Sequence, residues 1–202
     1  MPQILILHGW GSSSESWQKV KEILDKDGYN VLTPDFPGFG KAPPPEKPWS
    51  VDDYVAWTEE YCRQNQFSHF FLLGHSFGGR VAIKFAVKHP DMLAGLILLS
   101  AAGITPRPKV KLLVVSFLSR IVKTILSPPL LRPLQSLARK MTYSVFGTRD
   151  YYFLSSEVMR QTFQKIVEED LFGQLAEIKV PTWIIWGGND KVTPLADAKK
   201  MV

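Results

Sequence analysis

The chain has 202 residues, of which 45% are hydrophobic and 21% are charged, and its formal net charge is +5. This length suits one well-buried domain with an insertion, and no apolar stretch approaches the roughly 18 residues that a bilayer span needs. The single cysteine, Cys62, excludes an internal disulfide and a cysteine-based metal site. The chain does not begin with a basic leader followed by a long apolar region, as a signal peptide would, so we expect a cytoplasmic protein.

The basic residues are unevenly distributed along the chain. Nine Lys and Arg residues and no acidic residue lie between Asp91 and Asp150, whereas the rest of the chain has fifteen basic and nineteen acidic residues. Such a segment is either a solvated basic face or a surface that meets anions, for example an acidic membrane surface. No nucleic-acid-binding motif accompanies it, so we expect no nucleic-acid partner.

Five short apolar runs predict buried strands. Each run is continuous rather than alternating, which is typical of a parallel sheet that helices cover on both faces. The runs lie at residues 4–7, 30–34, 69–74, 93–100 and 181–188.

Helical patterns separate the first four of these strands. They begin at Ser14, Ser50 and Gly78, and Asp53 follows Ser50 by three residues, as in a capping box. Strands and helices that alternate in this way form right-handed βαβ units. The sequence therefore predicts an α/β fold with a mostly parallel sheet flanked by helices.

The alternation stops after the fourth strand. Residues 106–172 have no convincing strand pattern but contain amphipathic stretches and clustered prolines, and the strand pattern returns at Val180. We therefore predict a helical cap at 105–172, inserted between two parts of one core at 1–104 and 173–202. The apolar stripes of the cap are expected to pack against the core, with lipid contact as the alternative.

The run FFLLGHSFGGR at residues 70–80 contains the pattern G-x-S-x-G, with Ser76 between Gly74 and Gly78. The pattern follows a predicted buried strand and opens a predicted helix, which is the context that a nucleophile elbow requires. The two glycines remove side chains that would collide in so tight a turn. The helix N-terminus would add free N–H groups beside the serine hydroxyl.

Four motifs together resemble those of the α/β-hydrolase fold family. Besides the serine motif, the chain has HGWG directly after the first strand, DFPGFG after the second and WGGNDKVTP after the last. The resemblance covers the whole length, and the predicted cap stands where the family carries its lid. It implies a hydrolase that cleaves a carboxylic ester or related acyl bond of a small molecule, without a cofactor or a metal.

The resemblance also implies a role for each motif. Ser76 would be the nucleophile, and the backbone N–H groups of Trp10 and Phe77 would form the oxyanion hole, with Gly9 permitting the turn. Asp190 would be the acid that orients a histidine. The alternatives are a plain strand-to-helix connection for HGWG and an ordinary turn residue for Asp190.

None of the four histidines fits the role of general base. His75 adjoins the serine but is expected to pack away from it, and His8 is expected to be a hydrogen-bonded structural group near the site. His69 begins a strand far from its active end, and His89 ends a helix. By the resemblance the base lies in a loop after one further strand, so we predict that this chain lacks the C-terminal strand, the histidine loop and the last helix.

Two functions therefore remain open. The first is a serine hydrolase that works through an acyl-enzyme and is weak or inactive as this chain stands. The second is a non-catalytic α/β-hydrolase-like protein that binds a small apolar ligand in the same pocket. Six residues of the predicted cap would line that pocket: Phe117, Leu118, Phe146, Tyr151, Tyr152 and Phe153.

Overall fold

A computed structural model describes residues 1–104 and 156–202. Within these ranges five strands form one parallel sheet in the order β2-β1-β3-β4-β5. Each strand overlaps one predicted apolar run, and the predicted α/β fold with a parallel sheet is confirmed. The strands are β1 (Gln3–Leu7), β2 (Asn30–Leu32), β3 (Phe70–His75), β4 (Leu93–Leu99) and β5 (Thr182–Ile185).

The helices of the described ranges flank this sheet. At the start of α2 the predicted capping box is confirmed, because Ser50 Oγ accepts the N–H of Asp53 while the Asp53 carboxylate accepts the N–H of Ser50 at 2.7 Å. The first predicted helix begins as a 3-10 turn, Ser14–Trp17, before it becomes α1. The helices are α1 (Gln18–Lys26), α2 (Val51–Gln64), α3 (Phe77–Lys88), α4 (Glu157–Glu168) and α5 (Leu195–Lys200).

The two faces of the sheet are covered unequally. On one face Leu5, Leu72 and Leu96 are fully buried in the main core, which α2 and α3 cover. On the other face Ile4 and Ile6 belong to a smaller cluster that packs near α1. Since apolar burial is the main stabilising contribution, most of the folding free energy comes from the first face.

Helix α4 lies within the predicted cap range and packs against the core, as expected for the apolar stripes of the cap. From α3, the buried Arg80 guanidinium donates through Nη1 to the carbonyl oxygens of Ile166 at 2.7 Å and Glu169 at 2.8 Å. The buried Lys84 Nζ donates to the carboxylates of Asp52, at 2.6 Å, and Glu169. These bonds hold the C-terminal end of α4 against α2 and α3.

The segment after α4 meets the end of the first part of the core. The N–H of Leu171 donates to the carbonyl of Gly103 at 2.9 Å, and Gly103 has a φ of +111°, which favours glycine. Most of the predicted cap, with the six pocket residues and the nine basic residues between Asp91 and Asp150, lies outside the described residues. The predicted domain boundaries therefore stay a prediction.

Candidate active site

The turn between β3 and α3 holds Ser76 in a strained backbone conformation. Its φ of +51° and ψ of −111° lie in a region that residues other than glycine rarely adopt. The N–H of Ser76 donates to the carbonyl of Leu99 at 3.3 Å, and its own carbonyl accepts the N–H groups of Gly79 at 3.0 Å and Ala102 at 2.9 Å. Hydrogen bonds from α3 and from the end of β4 therefore hold the strained conformation in place.

Gly74 and Gly78 allow backbone segments to meet around this turn. A Cβ on Gly78 would lie well within 3.0 Å of the carbonyl oxygen of Leu7, and a Cβ on Gly74 would lie within 3.0 Å of Gly78 itself. The N–H of Gly78 donates to the carbonyl of His8 at 3.1 Å. Helix α3 therefore begins in direct contact with the end of β1, where the HGWG motif starts.

The HGWG loop lies against the serine turn. A Cβ on Gly9 would be 3.4 Å from the Cβ of Ser76 and 3.1 Å from the Nδ1 of His75. Among the turn and loop hydrogen bonds of the described residues, neither the N–H of Trp10 nor that of Phe77 is a donor. Two such N–H groups beside a serine hydroxyl are what the stabilisation of an oxyanion requires.

Asp190 lies in the loop after β5, which is separated from Ser76 by the end of β4. Thr193 Oγ1 is 3.0 Å from Asp190 Oδ2 and 3.2 Å from the carbonyl oxygen of Ser100, so it links the loop to the segment that follows β4. Ala102 of the same segment binds the carbonyl of Ser76. The structure thus places the loops that contain Ser76 and Asp190 on either side of one segment, at the carboxyl edge of the sheet.

Short-range hydrogen bonds set the charge of Asp190. Burial alone would raise the pKa of its carboxyl group, but the N–H groups of Thr193 and Val192 donate to Oδ1 at 2.9 and 2.8 Å and hold the pKa below its ordinary value. Asp190 is therefore a carboxylate at neutral pH, and a carboxylate is the form that can orient a histidine.

His8 has both ring nitrogens bound to the backbone. Nε2 accepts the N–H of Phe36 at 3.1 Å, and Nδ1 lies 2.8 Å from the carbonyl oxygen of Gly9, which can only accept, so Nδ1 carries the hydrogen. Burial lowers the pKa of His8, although the bond to Gly9 opposes the shift. His8 therefore has no free nitrogen with which to take a proton from a serine.

His75 lies on the opposite face of β3 from the main core. Its ring centroid is 6.0 Å from that of Trp17, and burial lowers its pKa while the negative charge of Asp190 opposes the shift. Among the described residues no histidine forms a hydrogen bond with Ser76 or Asp190. The remaining two histidines, at the start of β3 and the end of α3, are His69 and His89.

Two residues that hold the Asp190 loop were not predicted from the sequence. Thr193 is only 6% exposed, and a threonine three residues after an aspartate is a recognisable signal of a side-chain-to-backbone turn. Ser100, whose φ is +44°, gave no local signal, because its carbonyl meets Thr193 across 93 residues of chain.

Neither a metal site nor a membrane span is found in the part of the chain that the structure describes. Within residues 1–104 and 156–202, no group of three or more His, Cys, Asp or Glu residues could hold a metal ion. No helix in the same ranges has the length and apolar character needed to cross a bilayer.

Comparison with known proteins gives matches that extend over almost the whole chain. A model of the alpha/beta hydrolase fold family matches residues 2–202. An uncharacterized protein of Mycobacterium tuberculosis is 27% identical over 221 residues, which cover 98% of this chain and 64% of that protein. A 2-hydroxy-6-oxononadienedioate/2-hydroxy-6-oxononatrienedioate hydrolase of Klebsiella pneumoniae is 28% identical over 217 residues, which cover 95% of this chain and 72% of that enzyme.

A solved structure supports the same fold. An esterase from Exiguobacterium antarcticum superposes with a TM-score of 0.75 and 24% identity, covering 100% of this chain and 79% of the esterase. The chain spans 64% of the length of its mycobacterial relatives. With a family match from residue 2 to residue 202 and a parallel sheet of the expected kind, the chain belongs to the α/β hydrolase fold family.

Proposed function

We propose that this chain is the larger part of a serine hydrolase that cleaves a carboxylic ester or a related acyl bond. The observation that carries the proposal is the strained backbone of Ser76 at the turn between β3 and α3, with Gly9 of the HGWG loop packed against it. A strained serine at a strand-to-helix turn exposes its hydroxyl at the edge of the sheet, and its backbone cannot relax without breaking bonds to α3 and β4.

The proposed reaction has two acyl-transfer steps. Ser76 Oγ attacks the substrate carbonyl, its proton passes to a general base, and the N–H groups of Trp10 and Phe77 stabilise the oxyanion. The bond to the alcohol then breaks, the alcohol takes the proton from the base, and the acyl group stays on Ser76. Water attacks the acyl-enzyme in the second step and releases the acid.

The general base is the part of the triad that these residues do not supply. His8 uses both nitrogens on the backbone, and no histidine among the described residues is hydrogen-bonded to Ser76 or Asp190. We place the base in polypeptide beyond these 202 residues, where the ionised Asp190 would orient it. The 64% coverage of the mycobacterial relatives is consistent with this assignment.

The absence of a histidine bound to Ser76 or Asp190 among the described residues also favours a second candidate function, ligand binding without catalysis. A family member without a base would keep the pocket and the oxyanion donors but lose most of its rate, by several powers of ten when one triad member is removed. Such a protein would bind a small apolar ligand and not turn it over. A histidine base in the added residues of a longer chain would distinguish the serine hydrolase from the ligand-binding protein.

The test compares this chain with a version extended to the natural stop codon. We expect the extended protein to hydrolyse p-nitrophenyl acetate and to react with a fluorophosphonate at Ser76. Ser76→Ala should abolish both, whereas Ser16→Ala, on an exposed turn, should leave both unchanged. Asp190→Asn should lower kcat by about 10³- to 10⁴-fold, because the histidine would lose its orienting charge.

Two results would contradict the hydrolase proposal. Turnover by the extended protein that survives Ser76→Ala would show that another group is the nucleophile. An extended protein with no histidine in its added segment and no turnover would favour the ligand-binding function instead.

A further inference from the structure

Among the buried side-chain nitrogen and oxygen atoms of the described residues, one lacks a hydrogen-bond partner, and it belongs to a residue of the proposed oxyanion hole. The atom is the indole nitrogen Nε1 of Trp10. A buried tryptophan N–H usually finds an acceptor, because an unpaired donor in the protein interior loses its bond to water without compensation. The indole N–H of Trp10 therefore needs an explanation beyond packing.

The surroundings of the Trp10 ring are aromatic. Its centroid lies 5.3 Å from that of Phe77, the residue after Ser76, and 4.7 Å from that of Phe39. On a third side it lies 5.0 Å from Phe163 of α4. The indole thus lies between the serine turn and α4, among rings that provide no oxygen acceptor.

A second tryptophan shows what a purely structural indole does in this protein. Trp186 Nε1 donates to the carbonyl oxygen of Thr193 at 2.7 Å, and its ring packs against the main core. The backbone of the Asp190 loop therefore satisfies Trp186, whereas no described residue satisfies Trp10. Trp10 therefore differs from Trp186 in having a buried, unpaired donor, and its ring packs on Phe77, the residue after Ser76.

We propose that the Trp10 indole N–H donates to an oxygen of the bound substrate, so that the site selects acyl groups carrying an ether, hydroxyl or carbonyl oxygen near the scissile carbonyl. This inference rests on the proposed function, because the backbone N–H of the same residue is a proposed oxyanion donor. One residue then contacts the substrate twice, through its main chain at the reacting carbonyl and through its side chain farther along the acyl group.

The test uses two esters of nearly equal shape, methyl methoxyacetate and methyl butyrate, which differ by an ether oxygen in place of a methylene. The 202-residue chain, labelled with ¹⁵N-tryptophan, has six indole signals. Trp10→Phe and Trp186→Phe identify two of them by their loss. We expect methyl methoxyacetate to move the Trp10 indole signal and methyl butyrate to leave it in place, with the Trp186 signal unchanged by either ester.

The affinities give a second measurement. Trp10→Phe should weaken methyl methoxyacetate binding by about 3- to 10-fold, the range that one neutral hydrogen bond provides, and change methyl butyrate binding by less than about 2-fold. An equal effect of Trp10→Phe on both esters would overturn the inference and leave the indole N–H facing an aromatic ring. The remaining indole signals report whether each variant is folded.

Failure of this inference can be told apart from failure of the proposed function. Ser76→Ala removes the nucleophile but not the indole, so the ester-specific shift should persist in that variant. If the extended protein shows no turnover while the shift remains, the hydrolase proposal is wrong and the binding inference stands. If turnover depends on Ser76 but no shift occurs, only the inference about Trp10 is wrong.

Discussion

One face of the sheet is closely covered at the interior strand β1 and open at the edge strand β5. Four residues in register on one face run from a buried position on β1 to a half-exposed position on β5: Ile6, Leu73, Ile97 and Trp183. The exposed fraction is 1% at Ile6 and 48% at Trp183. On β5 the next residue of this face, Ile185, is 53% exposed.

This difference separates the proposed nucleophile from the proposed acid. Ser76 follows β3, an interior strand, and α3 and β4 both bind its backbone. Asp190 follows β5, an edge strand of the described sheet, and depends mainly on bonds within its own loop. Substitutions around Ser76 should therefore affect stability much more than substitutions on β5.

The largest effect is expected from Gly78→Ala. Its added Cβ would collide with the carbonyl groups of Leu7 and His8, which are backbone atoms that cannot rotate away. We expect the free energy of unfolding to fall by at least about 3 kcal/mol, as measured by urea denaturation. Gly173→Ala, with no atom within 4 Å of the new Cβ, is the control and should change stability by less than about 1 kcal/mol.

Equal effects of Gly78→Ala and Gly173→Ala on the free energy of unfolding would contradict the idea that the region around Ser76 is more rigid than the exposed parts of the fold. They would mean that the start of α3 can move away from the end of β1 at little cost. The enclosed, interior part of the sheet would then be no more rigid than the surface turn that contains Gly173.

The next largest effect is expected at Lys84. Its side chain is 7% exposed and donates to both Asp52 and Glu169, so Lys84→Met removes two charge-assisted bonds that connect α2, α3 and the end of α4. Because both carboxylates retain some access to water, we expect the free energy of unfolding, measured by urea denaturation, to fall by about 1 to 3 kcal/mol. Loss of one partner of a fully buried pair would cost more.

Lys88→Met is the matched control for Lys84. Lys88 also binds Asp52, at 2.5 Å, but its side chain is 47% exposed. A bond of that kind contributes about 0 to 1 kcal/mol. If Lys88→Met destabilised the protein as much as Lys84→Met, the anchoring of α4 would depend on surface charge and not on the buried network.

The parts of the fold that could be predicted are those with local signals. Glycines two residues before and after Ser76 indicate the strained turn, and continuous apolar runs indicate interior strands. Contacts between distant residues left no such signal. Arg80 meets the carbonyl of Ile166 across 86 residues, and a one-dimensional pattern cannot indicate which backbone oxygen a buried arginine will bind.

The open end of the sheet was likewise beyond prediction from the apolar pattern. The run at residues 181–188 contains the apolar stretch WIIW, and it predicts a strand without indicating that one face is exposed. Exposure depends on which elements cover that face. The unpaired indole of Trp10 is a similar case, because it follows from three rings contributed by separate segments.

A smaller effect is expected from pH, through two histidines near the serine turn. Burial lowers the folded-state pKa of His8 and of His75 from an ordinary value of 6.5. The unfolded chain therefore binds more protons as the pH falls below about 6.5, and stability decreases. Their stabilising contribution is complete above that pH and is lost as the pH falls toward the lowered folded-state pKa, with a slope of at most about 1.4 kcal/mol per pH unit for each group.

Urea denaturation between pH 7.5 and 5.5 measures this slope. His8→Gln should reduce it, since glutamine takes up no proton in either state, and His75→Gln should reduce it separately. Asp35 lies near enough to His8 to oppose the shift, but its own pKa is lowered from 3.8, so it stays charged throughout this range. A slope that both variants leave unchanged would assign the pH dependence to other groups.

The smallest effect is expected at the open end of the sheet, where Ile185→Thr should change the free energy of unfolding by no more than about 0.5 kcal/mol. Threonine keeps the β-branched shape that suits a strand, and its hydroxyl can bind water because Ile185 is about half exposed. The same substitution at Ile6, which is 1% exposed on the same face, should cost about 2 kcal/mol or more, because it buries a hydroxyl in an apolar cluster. The pair holds the substitution and the face constant, whereas Ile6 lies on the interior strand β1 and Ile185 on the edge strand β5, so the difference between the two values measures how much more completely the interior strand is enclosed. If Ile185→Thr instead cost as much as Ile6→Thr in the 202-residue chain, something would have to cover β5 in solution, and sedimentation velocity on the same sample would show whether it is a second copy of the chain.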